Sequence, residues 1–152
     1  MDPLKQRNDR RLLCPCLREK LEKLEALLDF PITVYETIRS KELQAHYLEI
    51  GASWTIRSLH LPQPPRGLAL AFDAAPSSYL TLKAWNPLGP LWLAYGEAGE
   101  SLGLTWGGRW KQRDTPHLQL SRCECPPEAL LRPVLHLGGS TVSNEGVAAG
   151  SL

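Results

Sequence analysis

Four side chains carry the chemistry that this sequence can offer: His60 and Asp73 on one stretch, Asp114 and His117 on another. His60, Asp73 and His117 make a set of three metal ligands, and a catalytic zinc ion needs three protein ligands with one position left for water. Asp114 stands three residues before the second histidine. It is then a spare carboxylate, able to take that water's proton without binding the ion. The inventory fits a zinc hydrolase with one catalytic Zn2+ ion. Two of these residues also have plainer uses. An aspartate in Asp114-Thr115-Pro116 commonly stabilises a turn, and Asp73 could lie exposed on an edge strand.

The elements that must position these groups follow from periodicity. Between Cys16 and Asp29, Leu17, Leu21, Leu24, Leu27 and Leu28 alternate with charged residues at helical spacing, which predicts one apolar helix face. Pro31 ends that helix, and Ile32 to Arg39 reads as a strand rich in β-branched residues. Ser40 can cap a helix from Lys41 to about Ile50, with Gly51 as its stop. Ser53 to His60 and Gly67 to Ala75 read as two further strands. In the latter, Leu68, Leu70 and Phe72 share the core face, while Ala69, Ala71, Asp73 and Ala75 share the other. Small alanines around one aspartate leave room for a metal and a substrate. Leu91 to Leu102 reads as a helix ended by Gly103. Pro116 to Ser121 reads as a last strand, with His117 and Gln119 on one face and Leu118 and Leu120 on the other.

The motifs resemble a known family. Ser58-Leu59-His60 followed by Gly67-Leu68-Ala69-Leu70-Ala71-Phe72-Asp73 resembles the S-x-H … G-x-A-x-D signature of the M15 (VanY/VanX-like) zinc peptidases. The segment from Leu102 to Trp110, running into Asp114-Thr115-Pro116-His117, is similar to that family's closing segment. Its D-x-P-H form is similar to the phage endolysin branch, which cuts the L-alanyl–D-glutamate bond of peptidoglycan. Arg39-Ser40 and Gln44 match an upstream R-S-x-x-x-Q position. The resemblance implies an α+β fold, a small antiparallel sheet with helices packed on one side and the zinc cleft on the sheet. It implies His60, Asp73 and His117 as metal ligands and Asp114 as general base. Arg39 would polarise the scissile carbonyl or hold a substrate carboxylate; the plainer use is a surface salt bridge with Glu36. Ser58 and Gln44 would either support the site from behind or orient substrate. His46 and His136 match no motif position and read as surface histidines. One departure is the stretch between His60 and Asp73, which is longer than in the family pattern. Its extra residues, Leu61-Pro62-Gln63-Pro64-Pro65-Arg66, must form a loop, because proline is barred from helix and from a central strand. That loop could line the groove or cross the surface.

Composition bounds the rest. A chain of 152 residues with 43% hydrophobic and 22% charged content is one ordinary globular domain's worth. The organisation expected is a basic N-terminal arm (1–16), a zinc peptidase domain (17–133) and a flexible tail (134–152). The arm's Lys5, Arg7, Arg10 and Arg11 read first as a solvated basic tail. A net charge of +1 suggests no nucleic-acid partner. No run approaches a membrane span, and residues 1–11 lack the apolar stretch of a secretory signal. The partner that the resemblance implies is peptidoglycan, and the route expected without a signal is from the host cytoplasm through a holin-made lesion, with the enzyme a monomer. Five tryptophans default to core, with Trp106 or Trp110 able to wall a substrate cleft.

Four cysteines fall as Cys14-Pro15-Cys16 and Cys123-Glu124-Cys125. They leave three readings open: free thiols, a disulfide joining the termini, or a second, structural zinc. The last is the poorest match to the usual C-x₂₋₄-C spacing. Competing functions are a D-Ala-D-Ala carboxypeptidase and a non-catalytic wall-binding module. The latter would have no need of the spare aspartate.

Overall fold

The structure, a computed structural model, describes residues 2–80 and 84–125. The expected tail, its boundary at 133 and His136 lie outside the described residues. The element order is α1 (Pro15–Leu27), β1 (Ile32–Glu36), α2 (Lys41–Glu49), β2 (Ala71–Pro76), α3 (Leu91–Ser101), β3 (Thr105–Trp106) and β4 (His117–Gln119). The strands form one antiparallel sheet in the order β1-β2-β4-β3. The class is α+β, as expected. Among the described residues no helix is long and apolar enough to cross a membrane.

One face of the sheet carries the hydrophobic core. Leu17, Leu21 and Leu24 of α1 are wholly buried there, with Trp92 and Tyr95 of α3 and with Phe72 and Leu118 of the central strands. Truncating one such leucine to alanine costs about 2–5 kcal/mol. The apolar stripe of α1 runs on to Leu28, which packs against the core, whereas Leu27 is 58% exposed. Leu27 thus falls off the face first assigned to it, one helical step too early to reach the sheet. Ser40 caps α2 by accepting from the Leu43 amide, as expected. Gly51 and Gly103, each just past a helix end, have positive φ.

The opposite face carries the polar residues. Asp73 pairs directly with His117, and Ala71 with Gln119, across β2 and β4. Residues opposite one another in a ladder share a face, so Asp73, His117 and Gln119 stand together while Phe72 and Leu118 fill the core. On β1 the simple two-residue period would put Glu36 on the core face with Ile32 and Val34. A register shift between Val34 and Glu36 places Glu36 opposite Asp73 instead. This bulge turns the carboxylate to the polar face.

Several expected strands are shorter or absent. Gly67 to Leu70 precedes β2 rather than belonging to it, because its amides bind scattered segments: Ala69 donates to the Leu12 carbonyl and Leu70 to that of Leu59. Likewise β1 stops at Glu36, and β4 covers only residues 117–119. Ser53 to His60 forms turns and no strand. Ser53 and Thr55 hydroxyls accept from the amides of Thr55 and Arg57, local bonds that compete with a ladder. The basic arm is not a free tail either. Thr37 binds the carbonyls of Arg7 and Asp9, Arg10 makes a two-pronged ion pair with Glu25, and Leu13 is fully buried.

Candidate metal centre and active-site cavity

Asp73 and His117 owe their proximity to strand register, but His60 arrives on irregular chain. Three bonds hold it there. The His60 carbonyl accepts from the Arg39 amide at 2.8 Å, the Ser58 hydroxyl accepts from the His60 amide at 3.2 Å, and His60 Nδ1 lies 2.6 Å from the Thr37 carbonyl. The result is a compact triad in which one donor atom each from His60, Asp73 and His117 lies within 4.8 Å of the others. His60 Nε2 and His117 Nδ1 stand 3.2 and 3.1 Å from the same oxygen, Asp73 Oδ1.

The outer nitrogens decide what the inner ones can do. A carbonyl only accepts, so His60 Nδ1 must carry its proton toward Thr37, and the lone pair of a neutral ring faces inward. His117 Nε2 is held in the same manner by Gln119 Oε1 at 2.8 Å, leaving Nδ1 turned toward Asp73. Two imidazole lone pairs and a carboxylate oxygen therefore converge, an arrangement that calls for a cation between them. The outer bonds are the kind that fix tautomer and ring orientation around a metal. The residues present thus fit a divalent cation. Electrostatically the triad favours positive charge at this place. Burial opposes charge on Asp73, yet His60 and His117 outweigh it and hold the carboxyl well below the usual range. Burial likewise opposes charge on His117, but Asp73 and Asp114 raise its pKa above that of an ordinary imidazole.

Behind the triad lies a second polar layer. Arg39 donates to Glu36 and to Gln44 Oε1, and its guanidinium stacks on Tyr47 at 4.7 Å. Its nearest approach to Asp73 is 3.9 Å. The Arg39–Glu36 pair is therefore buried rather than a surface bridge, the two side chains being 8% and 1% exposed. Gln44, wholly buried, also donates to the Ser53 hydroxyl and the Thr55 carbonyl. It braces Arg39 and the turn at 53–55 and does not itself line the cavity, the supporting one of its two expected roles.

In front of the triad opens a cavity of about 630 Å³, lined among others by Tyr35, Arg39, Trp54, Ser58, Trp110 and Asp114. Asp114 reaches to 4.0 Å from His117 Nδ1 and is 35% exposed. Burial raises its pKa, and the charge of Asp73 adds to that, against the pull of His117, His60 and Arg39. The turn that presents it depends on Gly107. The Gly107 carbonyl accepts from the Asp114 amide, and a Cβ at 107 would lie 2.4 Å from the Asp114 carbonyl oxygen. Trp110 lies tilted against His117 at 5.1 Å, and Trp54 meets Trp110 edge-on at 6.0 Å. Trp106 instead faces the core and binds the Thr115 carbonyl.

All seven candidate residues thus gather at one place: His60, Asp73, His117, Asp114, Arg39 and Ser58 on the cavity, Gln44 behind it. The proline-rich insertion does not line this cavity; it folds back on itself through Gln63–Leu68 pairing. His46 is half-buried on α2 and takes no part. Sequence reasoning gave no site role to Gln119, Tyr35 or Trp54, and named Glu36 only as a surface partner of Arg39. Gln119 had a legible signal, its place two residues after His117 on the same strand face. Trp54 had none.

Comparison with known proteins agrees with the geometry. Residues 52–120 match the peptidase M15 family profile described as D-alanyl-D-alanine carboxypeptidase. Over 92 residues the chain is 40% identical to the L-alanyl-D-glutamate peptidase of Listeria phage A118, an alignment covering 59% of this chain and 30% of that protein. The chain thus spans less than a third of the length of that relative. The fold is similar to the crystal structure of the Serratia marcescens L-Ala D-Glu endopeptidase ChiX, with a TM-score of 0.52 and 26% identity, covering 78% of this chain and 91% of that one. Profile, relative and fold agree on one likeness: residues 52–120 resemble the peptidase M15 family.

Proposed function

We propose that this chain is a zinc-dependent endopeptidase that hydrolyses the L-Ala–D-Glu bond of peptidoglycan stem peptides and so lyses bacterial cells. The observation that carries the reading is the triad itself: His60, Asp73 and His117 converge with both outer imidazole nitrogens already committed, and Asp114 overhangs them without joining them. Two imidazoles and one carboxylate are a donor set suited to catalytic zinc. Held there, zinc supplies Lewis acidity to a water molecule and to the scissile carbonyl.

The chain's own residues do the rest. Asp114, partly buried and with a raised pKa, accepts a proton from the attacking water and returns it to the leaving amine; such transfer is worth about 10²–10⁴ in rate. Arg39 keeps a positive charge at the back of the cavity, where it offsets charge developing on the carbonyl oxygen. Glu36 and Gln44 fix its orientation. Ser58 holds the His60 amide, and Trp54 and Trp110 offer apolar walls to the stem peptide. The two relatives named for this bond support the choice of substrate. Action on the wall after release through a membrane lesion completes the proposal.

The test is mass spectrometry of purified peptidoglycan after digestion, with and without a zinc chelator. Chelator-sensitive fragments bearing a new amino terminus on D-glutamate are expected. Loss of terminal D-alanine would move the chain to carboxypeptidase chemistry. An unchanged wall in the presence of bound zinc would overturn the catalytic reading.

A further inference from the structure

The four cysteines converge at a second place, away from the cavity. Cys14 precedes α1 and Cys16 lies in its first turn, while Cys123 and Cys125 follow β4. Their four sulfurs all lie within 4.8 Å of one another. Cys14 Sγ is 3.2 Å from that of Cys16, 3.0 Å from that of Cys123 and 3.5 Å from that of Cys125. We propose that these thiols form a tetrathiolate zinc site, a structural centre distinct from the His60–Asp73–His117 triad.

Geometry favours a metal over the two alternatives. Sulfurs about 2.3 Å from a tetrahedral zinc ion stand about 3.8 Å apart, so the tetrad already has nearly the dimensions of that shell. A pair of disulfides needs two separate contacts, whereas Cys14 approaches all three other sulfurs. Buried cysteines often serve as small apolar side chains, but only Cys14 is fully buried, and the other three sit at the surface edge of the core. The unusual C-x-C spacing has a local cause. Cys14 is extended (φ −50°, ψ 134°) and Pro15 then starts the helix, so the chain turns between the two cysteines and brings both sulfurs to one side.

Two backbone amides point at the sulfurs. The Cys16 amide donates to Cys125 Sγ at 2.9 Å, and the Glu124 amide to Cys16 Sγ at 3.3 Å. Backbone donors of this kind hold negative sulfur in place. The start of α1 presents the positive end of a 13-residue helix to the same sulfurs. Cys14 and Cys123 also share a small cavity with Gln63, Pro64, Pro65 and Arg66. The long insertion thus lies beside the sulfurs rather than the substrate, and Arg66 brings a cation near a centre that carries net negative charge. All four positions being cysteine, no place remains for water, which marks a structural site and not a catalytic one. Such a centre would clip the start of α1 to the end of the sheet, across more than a hundred residues of chain. Its binding energy would then be folding energy.

The experiment uses the full chain and two probes, zinc and cobalt(II). Metal analysis of His117→Ala, which lacks the triad, is expected to retain one ion per chain. Cobalt loaded into either wild type or His117→Ala should show the intense thiolate-to-cobalt charge-transfer absorption that a histidine–carboxylate site does not give. Cys123→Ser with Cys125→Ser should lose that band and one ion. That double variant can fail to fold, so the wild-type chain supplies an independent reading: its four thiols should resist alkylation until a chelator strips the metal. Thiols that alkylate freely in zinc-loaded protein, an intact mass showing disulfides, or cobalt binding without the charge-transfer band would each overturn the proposal. None of these outcomes depends on the triad holding metal or on peptidase activity.

Discussion

On the floor of the cavity Asp73 and His117 face each other across a single antiparallel register and are 8% and 6% exposed. Along its rim, Trp54, Ser58 and Asp114 hang on turns, with Trp54 half exposed. The floor is held by ladder hydrogen bonds and by core residues on the same strands, Phe72 and Leu118, that have no solvent contact. Displacing a floor atom means disturbing that packing, whereas a rim side chain can move within its own rotamers. The difference separates two jobs. Coordination needs donor atoms fixed to a few tenths of an ångström; admitting a polymer needs a border that yields.

If the division is sound, floor substitutions should act on metal and rim substitutions on turnover or binding. The largest effect belongs to His117→Ala. It should remove the triad's metal and abolish peptidoglycan hydrolysis together, as read by metal analysis and fragment release. Next comes Asp114→Asn, which removes a proton acceptor while leaving the donor atoms of the triad untouched. Metal content should stay at the wild-type level and kcat should fall by about 10²–10⁴. Wild-type turnover in this variant would remove Asp114 from the chemistry.

Gln119 sharpens the comparison from within the floor. It touches no other member of the triad but holds His117 Nε2 at 2.8 Å. Without that acceptor the ring can rotate or place its proton on the inner nitrogen. Gln119→Ala should therefore weaken metal binding by about 10- to 100-fold, measured by competition with a chromogenic chelator, and excess zinc should restore turnover. Loss of turnover that zinc does not restore would mean that Gln119 acts on substrate instead.

The same division governs how much the sequence reveals. Floor residues lie in strands, where a period of two tells which side chains share a face. From that alone His117 and Gln119 could be paired, and Leu118 set against them. The stretch Ser53 to His60 alternates enough to imitate a strand, yet Ser53 and Thr55 bond their own backbone and fold it into turns. Glu36 was legible as a partner of Arg39 but not as a neighbour of Asp73, for a related reason. The bulge that turns it toward Asp73 breaks the period by which faces are read. The basic arm looked solvated because its charges dominate its composition, while its carbonyls, which bind Thr37, leave no trace in side-chain chemistry. Helices α1 and α3 and the meeting of His60, Asp73 and His117 were legible because each depends on local spacing or on a motif. Contacts that join distant stretches through backbone atoms, such as Thr37 to His60, were not.

Trp54 carries the smallest expected effect and the most exacting test of the rim. Its indole is half exposed, lines the cavity and meets Trp110 edge-on, and it is Trp110 whose ring lies against His117. Trp54→Ala should leave metal content and thermal stability unchanged, because little buried surface is lost. An aromatic wall of this kind is worth about 0.5–1.5 kcal/mol, so KM for wall fragments should rise roughly 2- to 13-fold with kcat nearly constant. Trp110→Ala should differ, raising KM and also lowering kcat, because its ring bears on His117. If Trp54→Ala depressed kcat to the degree of Asp114→Asn with KM intact, the rim would share in the chemical step, and the separation of a fixed floor from a yielding border would not describe this site.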